Sequence, residues 1–239
     1  MKRIISLFLI ISVFFSLNSC TKNESAEDKK TRVISEATAY LKENYPDDEF
    51  TYVDGRSPNS AYNYYELGFT SKNYNNQEVT VFGVPTEEEN NEGMQLYHYY
   101  DSYYQYYMNE DAEKYFYDIA KKYISDDIAI KIDFITAIGS AEKVNKDLDF
   151  INNYSEGNVG FFVYIFTEKD TTENEKSIKS IIRKFKDNGN KLWLEYVIVD
   201  NLSEVKKSNI KALKENFSGS KRSVTYSTAY EEKNNYQKG

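Results

Sequence analysis

The segment Val159 to Phe166, VGFFVYIF, carries apolar side chains at odd and even positions alike. Successive side chains of a strand point to opposite faces, so such a run has no side to turn toward water. It predicts an interior strand of a sheet covered on both faces, which commits the chain to helices packed against a sheet. The neighbouring patterns agree. Ile128, Ile130, Ile132 and Phe134 alternate at period two, KLWLEYVIV (191–199) reads as a second long strand, and SVTYSTAY (223–230) as a last one. Between them lie a helix with Val144, Leu148 and Ile151, a helix with the stripe Ile178, Ile181, Ile182 and Phe185, and a helix with Ile210, Leu213 and Phe217. Thr172 and Glu175 make a capping box for the second of these.

The first half has a different order. Val33, Ala37, Tyr40 and Leu41 recur at helical spacing, and Pro46 ends that helix by disfavouring helical geometry at Tyr45. Three strands follow, at Phe50–Val53, at Tyr64–Thr70 with Tyr65, Leu67 and Phe69 on one face, and at Glu78–Val84, which Pro85 and a polar run close. The connector KNYNNQ suits a hairpin, because Asn accepts turn geometry. A fourth strand from Met94 to about Tyr99 leads into a helix ending near Ile124. The expected fold class is α+β. An N-terminal helix, an antiparallel strand meander and a Tyr-rich helix (31–124) precede a C-terminal half (125–239) of alternating strands and helices packed on a mixed sheet.

The start of the chain, MKRIISLFLIISVFFSLNSC, joins two basic residues, Lys2 and Arg3, to an apolar run from Ile4 to Leu17 that is too short for the ~20 residues of a membrane span. Leu17-Asn18-Ser19-Cys20 resembles the lipobox of bacterial lipoproteins, and Cys20 is the only cysteine. That resemblance implies that residues 1–19 are a signal peptide removed before Cys20, that the Cys20 thiol carries diacylglycerol, and that the new amino terminus is acylated. Two or more acyl chains make a stable anchor where one holds reversibly. Residues 20–30, polar and of mixed charge, are expected to be a flexible tether. The body is loosely similar, in its order of helix, meander and Tyr-rich helix, to small lipoproteins of low-GC bacteria. The resemblance places the protein outside the cytoplasm, held to a bilayer by lipid.

Removing Lys2 and Arg3 from 30 basic residues leaves 28 against 38 acidic ones, a formal charge of −10. Such a body is unsuited to nucleic acid, whose binding rests on Lys and Arg neutralising phosphates. With Cys20 committed to lipid, no disulfide forms within the chain, and the fold rests on its core.

The lone His98 and the absence of a second cysteine remove Ser/His/Asp, Cys/His and zinc constellations in their usual forms. No phosphate-cradling glycine motif occurs, and neither TEEENNE (86–92) nor the run from Asp147 has the ligand spacing of a calcium loop. No catalytic residue, metal or cofactor is assigned. The single Trp193 reads as core between Leu192 and Leu194, although an exposed Trp would suit a sugar.

The remaining candidate is QLYHYYDSYYQYYMNEDAEKYFYD (95–118), with nine tyrosines in 24 residues. At 100° per residue the rings up to Tyr107 occupy one half-circle, whereas Ala112, Tyr115, Phe116 and Ile119 fall on the opposite side. One straight helix cannot bury both stripes against one surface. A strand ending near Tyr99, with Asp101 capping the following helix, leaves several of Tyr103, Tyr104, Tyr106 and Tyr107 partly exposed as an interaction face. The expectation is a non-catalytic protein-interaction, immunity or envelope-assembly module with an unidentified protein partner. The alternative is a carboxylate-dependent hydrolase or sugar-binding protein acting on the envelope.

Overall fold

The computed structural model describes residues 24–169, 171–187, 192–216, 222–227 and 234–236. Residues 1–19, Cys20 and Phe217 lie outside the described residues. The fold is α+β, with a four-stranded sheet in the first half and a mixed five-stranded sheet in the second.

Helix α1 spans Ala26–Asn44 and buries Val33, Ala37 and Leu41. It starts inside the expected tether because Ser25 and Asp28 form a cap. The Ser25 Oγ accepts from the Asp28 amide at 3.1 Å and donates to the Asp28 carboxylate at 2.6 Å. Reading 20–30 by polarity alone misses that mixed charge is compatible with a helix once its first turn is capped and acidic.

Strands β1 (Phe50–Arg56), β2 (Tyr65–Ser71), β3 (Gln77–Glu89) and β4 (Gln95–Asp101) follow in sheet order, and the β1–β2 and β2–β3 pairs are antiparallel. Tyr65, Leu67 and Phe69 are buried together, as their alternation requires. The β2–β3 turn uses Asn75 and Asn76 at positive φ. Strand β3 runs on through Pro85, against expectation. Its pairing with β2 ends at Gly83, opposite Tyr65, so a residue without an N–H costs that ladder nothing beyond this point.

Contacts divide the chain between Tyr99 and Tyr100, inside β4. The sequence division at 124 and 125 therefore lies two helices too late. Helices α2 (Tyr104–Tyr107) and α3 (Asn109–Ala120) belong with the second sheet, and the helical run is interrupted at Met108, where its apolar face changes side.

In the second unit β5 (Ala129–Phe134) pairs antiparallel with β6 (Phe161–Thr167), β6 pairs parallel with β7 (Trp193–Ile198), and β7 pairs antiparallel with β8 (Arg222–Ser227), which pairs with β9 (Asn234–Tyr236). Helices α4 (Ile138–Ala141) and α5 (Phe150–Ser155) lie between β5 and β6, and α6 (Thr172–Asp187) makes the crossover to the parallel strand. The α5 residues that enter the core are Phe150, Asn153 and Tyr154, whereas Ile151 is exposed. The α6 stripe Ile178, Ile181, Ile182 and Phe185 is buried as its spacing predicts, although the cap is Thr171, whose Oγ1 accepts from the Asn174 amide at 3.1 Å. Two short helices, α7 (Leu202–Lys207) and α8 (Ile210–Asn216), complete the unit before β8.

One face of this sheet presents Phe134, Phe161, Val163, Ile165, Leu194 and Tyr196, all buried. Phe116 of α3 meets Phe150, Tyr154, Phe161 and Phe185 there, with ring centroids 5.5 to 6.3 Å apart. The opposite face carries Ala129, Tyr164, Phe166 and Val197 against Leu202 and Val205, with Ile210 and Leu213 packed at its side. Segment 159–166 is thus an interior strand covered on both faces, except at one residue.

Candidate functional site

The residue left uncovered is Phe162. Residues facing one another across adjacent strands share a sheet face, so Asp133, Phe162, Trp193 and Ser227 form one row across β5, β6, β7 and β8. Phe162 and Trp193 are 37% and 39% exposed, and their rings stand 5.6 Å apart with a 33° tilt. Trp193 is therefore not the core residue that its Leu192 and Leu194 neighbours suggest, since those two project to the buried side.

The reason is one of length. Strands β6 and β7 run about 20 Å at about 3.3 Å per residue, whereas α7 and α8 are each only about 10 Å long at about 1.5 Å per residue. Their apolar residues reach Phe166, Val197 and Tyr164 at the far end of the face and stop there. The row holding Phe162 and Trp193 is an aromatic shelf. On its β5 flank the Asp133 carboxylate takes the Lys214 ammonium at 2.6 Å, with both groups still reached by solvent. Burial first, and then the carboxylates of Asp133 and Glu195, push the Tyr164 phenol above its ordinary value, so it stays protonated beside the shelf on the same face.

The four tyrosines expected to form an interaction face separate. Tyr103 and Tyr104 are core residues: Tyr104 donates its hydroxyl to the Ile135 carbonyl at 2.7 Å and sets its ring edge-on to Phe134. Tyr106 and Tyr107 are half-buried, with rings against Tyr103. The interruption at Met108 lets α2 and α3 each bury their own stripe, which a continuous helix could not do.

On β4 the rings serve the first unit. Tyr97 lies beneath the Lys29 and Arg32 cations, both 5.8 Å from its centroid, and Tyr99 donates to Glu36 at 2.7 Å. Arg32 in turn pairs with Glu24 and Glu36, each at 2.8 Å. His98 is exposed between them.

Among the described residues the two buried carboxylates, Asp48 and Asp101, are committed to turns. Asp48 accepts from the Ser71 hydroxyl and from the amides of Glu49 and Asn73, at 2.7 and 2.9 Å for the amides. Asp101 accepts from the Tyr103 amide at 2.9 Å ahead of α2, the capping role its place in the sequence suggests. An open groove of about 600 Å³ beside the start of α1 is lined by Glu24, Lys29, Glu87, Glu88, Glu89 and Glu92 among others. Among the described residues no group of His, Cys, Asp and Glu is placed to hold a metal ion, and no helix is long and apolar enough to cross a membrane.

No family model and no curated protein matches the sequence. Among solved structures, a DUF5037 family protein from Ruminococcus gnavus ATCC 29149 is similar over 81% of this chain and 90% of its own, at 16% identity and a TM-score of 0.42.

Proposed function

We propose that this protein is a lipid-anchored binding protein on the outer side of a bacterial membrane, working without catalysis through the shelf formed by Phe162 and Trp193. The observation that carries the reading is that exposed aromatic pair, side by side on adjacent strands of a sheet whose other large apolar residues on β5, β6 and β7 are buried. Isolated exposed apolar residues are ordinary, but two large rings side by side on a rigid sheet supply contact area with little ordering cost. The anchor is supported by the basic start, the short apolar run and the sole cysteine at the lipobox position. With a mature charge of −10, the body stays soluble beside the membrane and does not adhere to anionic lipid headgroups.

Two measurements test this. Mass spectrometry of the mature protein is expected to find diacylglycerol on Cys20 as the first residue, and Cys20→Ala is expected to leave the precursor unprocessed; a mature chain with an unmodified Cys20 removes the anchor. A photo-crosslinking residue at position 162 is expected to capture an envelope component that the same probe at exposed Ile151 does not. Equal labelling at both positions would remove the shelf as binding surface.

A further inference from the structure

We propose that the shelf is a saccharide site, on which a neutral six-membered sugar ring stacks against Trp193 and Phe162. This rests on the reading of the chain as a binding protein and names its ligand class. The C–H bonds on the flat side of a sugar ring are weakly positive and meet the negative face of an aromatic ring favourably. Two rings 5.6 Å apart and tilted by 33° make a shallow seat on the scale of one such ring.

The flanks supply the hydroxyl partners. Asp133 offers a carboxylate acceptor and Lys214 an ammonium donor on one side, and Ser227 sits in the same row on the other. The Asp133–Lys214 pair is neutral as a unit, which suits an uncharged polyhydroxyl ligand better than a phosphate or a polyanion. The shelf by itself is smaller than a stable protein interface. A stable protein interface takes about 800 Å² from each side, and here two partly covered rings are bordered at once by polar groups.

Trp193 is the only tryptophan of the chain, so indole emission reports on this position alone. The mature lipoprotein in detergent, titrated with a β-linked N-acetylglucosamine tetramer and separately with an α-linked glucose tetramer, is expected to show a saturable shift of emission to shorter wavelength with at least one. Phe162→Ala and Asp133→Asn are each expected to weaken that response by about tenfold while thermal melting confirms that both variants fold. If neither sugar moves the emission while the crosslinker at position 162 still captures an envelope protein, the saccharide proposal is overturned and the binding reading stands. If acrylamide also fails to quench Trp193 in the free protein and nothing is captured, both fall together.

Discussion

The Lys146 ammonium lies 2.9 Å from one oxygen of the Asp101 carboxylate, whose other oxygen accepts from the Tyr103 amide. Asp101 is buried, so its charge depends on these partners. Lys146→Met is expected to lower unfolding free energy by about 1–3 kcal/mol, less than for a wholly buried pair because Lys146 keeps contact with solvent. Denaturant melts of the two proteins give the difference, and an unchanged midpoint rejects the pairing.

The phenols of Tyr99, Tyr104 and Tyr154 are all held above their ordinary value, first of all by burial. Their neutral forms are favoured in the folded chain, so the stabilisation is complete below the unfolded value near 10 and is lost as pH rises through the folded ones. Phenolate absorbance is expected to appear in two stages: exposed rings titrate reversibly, then the buried ones ionise together as the chain unfolds. A single smooth titration with the fold intact contradicts this.

On the acid side the signs reverse. Glu24 is held low by its hydrogen bond with Arg32, Asp126 by Lys169 and Asp127 by Lys206. Each depressed carboxylate contributes stability above the unfolded value near 4 and loses it as pH falls through the folded one. Stability is therefore expected to rise with pH across that window, and Arg32→Met to flatten the rise. Melting temperature measured against pH for both proteins is the test, with parallel curves as the contrary result.

Phe116 joins α3 to α5, α6 and β6 through four aromatic contacts, whereas Ile151 on α5 is exposed. Phe116→Ala is expected to cost about 3–5 kcal/mol and Ile151→Ala under about 0.5 kcal/mol. Comparable losses in chemical denaturation would mean that the inward face of α5 is misassigned.

Ser25 holds the first turn of α1 through its contacts with Asp28. Ser25→Ala is expected to remove about 1 kcal/mol, and Ser25→Asp to retain most of the cap. Amide exchange in residues 26–30 reads this locally, and unaltered protection in the Ala variant counts against the cap.

How much was legible in the residues can be judged from particular elements. The stripe Ile178, Ile181, Ile182 and Phe185 and the alternation Ile128 to Phe134 each reveal a buried face, because a repeat of 3.6 or 2 is a property of one element alone. The α5 face differs from its spacing, since Val144, Leu148 and Ile151 match a helical repeat that spans a loop and a helix start. The tyrosine run was half legible: its two conflicting stripes were visible, but not that the chain would be interrupted at Met108 and bury Tyr103 and Tyr104.

For the shelf, parity along β6 and β7 places Phe162 and Trp193 on the same side as Phe166 and Val197, and no local pattern separates covered from uncovered positions on that side. The one available signal was the brevity of the apolar repeats at Leu202, Val205, Ile210 and Leu213, too short to cover a whole strand.

By itself the sequence determined an α+β chain with no disulfide within it and an interior strand at 159–166, because composition, spacing and a single cysteine are local facts. Only the tertiary structure decided that Tyr103 and Tyr104 are core and that Phe162 and Trp193 meet solvent. Whether an apolar residue is covered depends on how far a helix remote in sequence extends over its sheet, and that is a relation between elements.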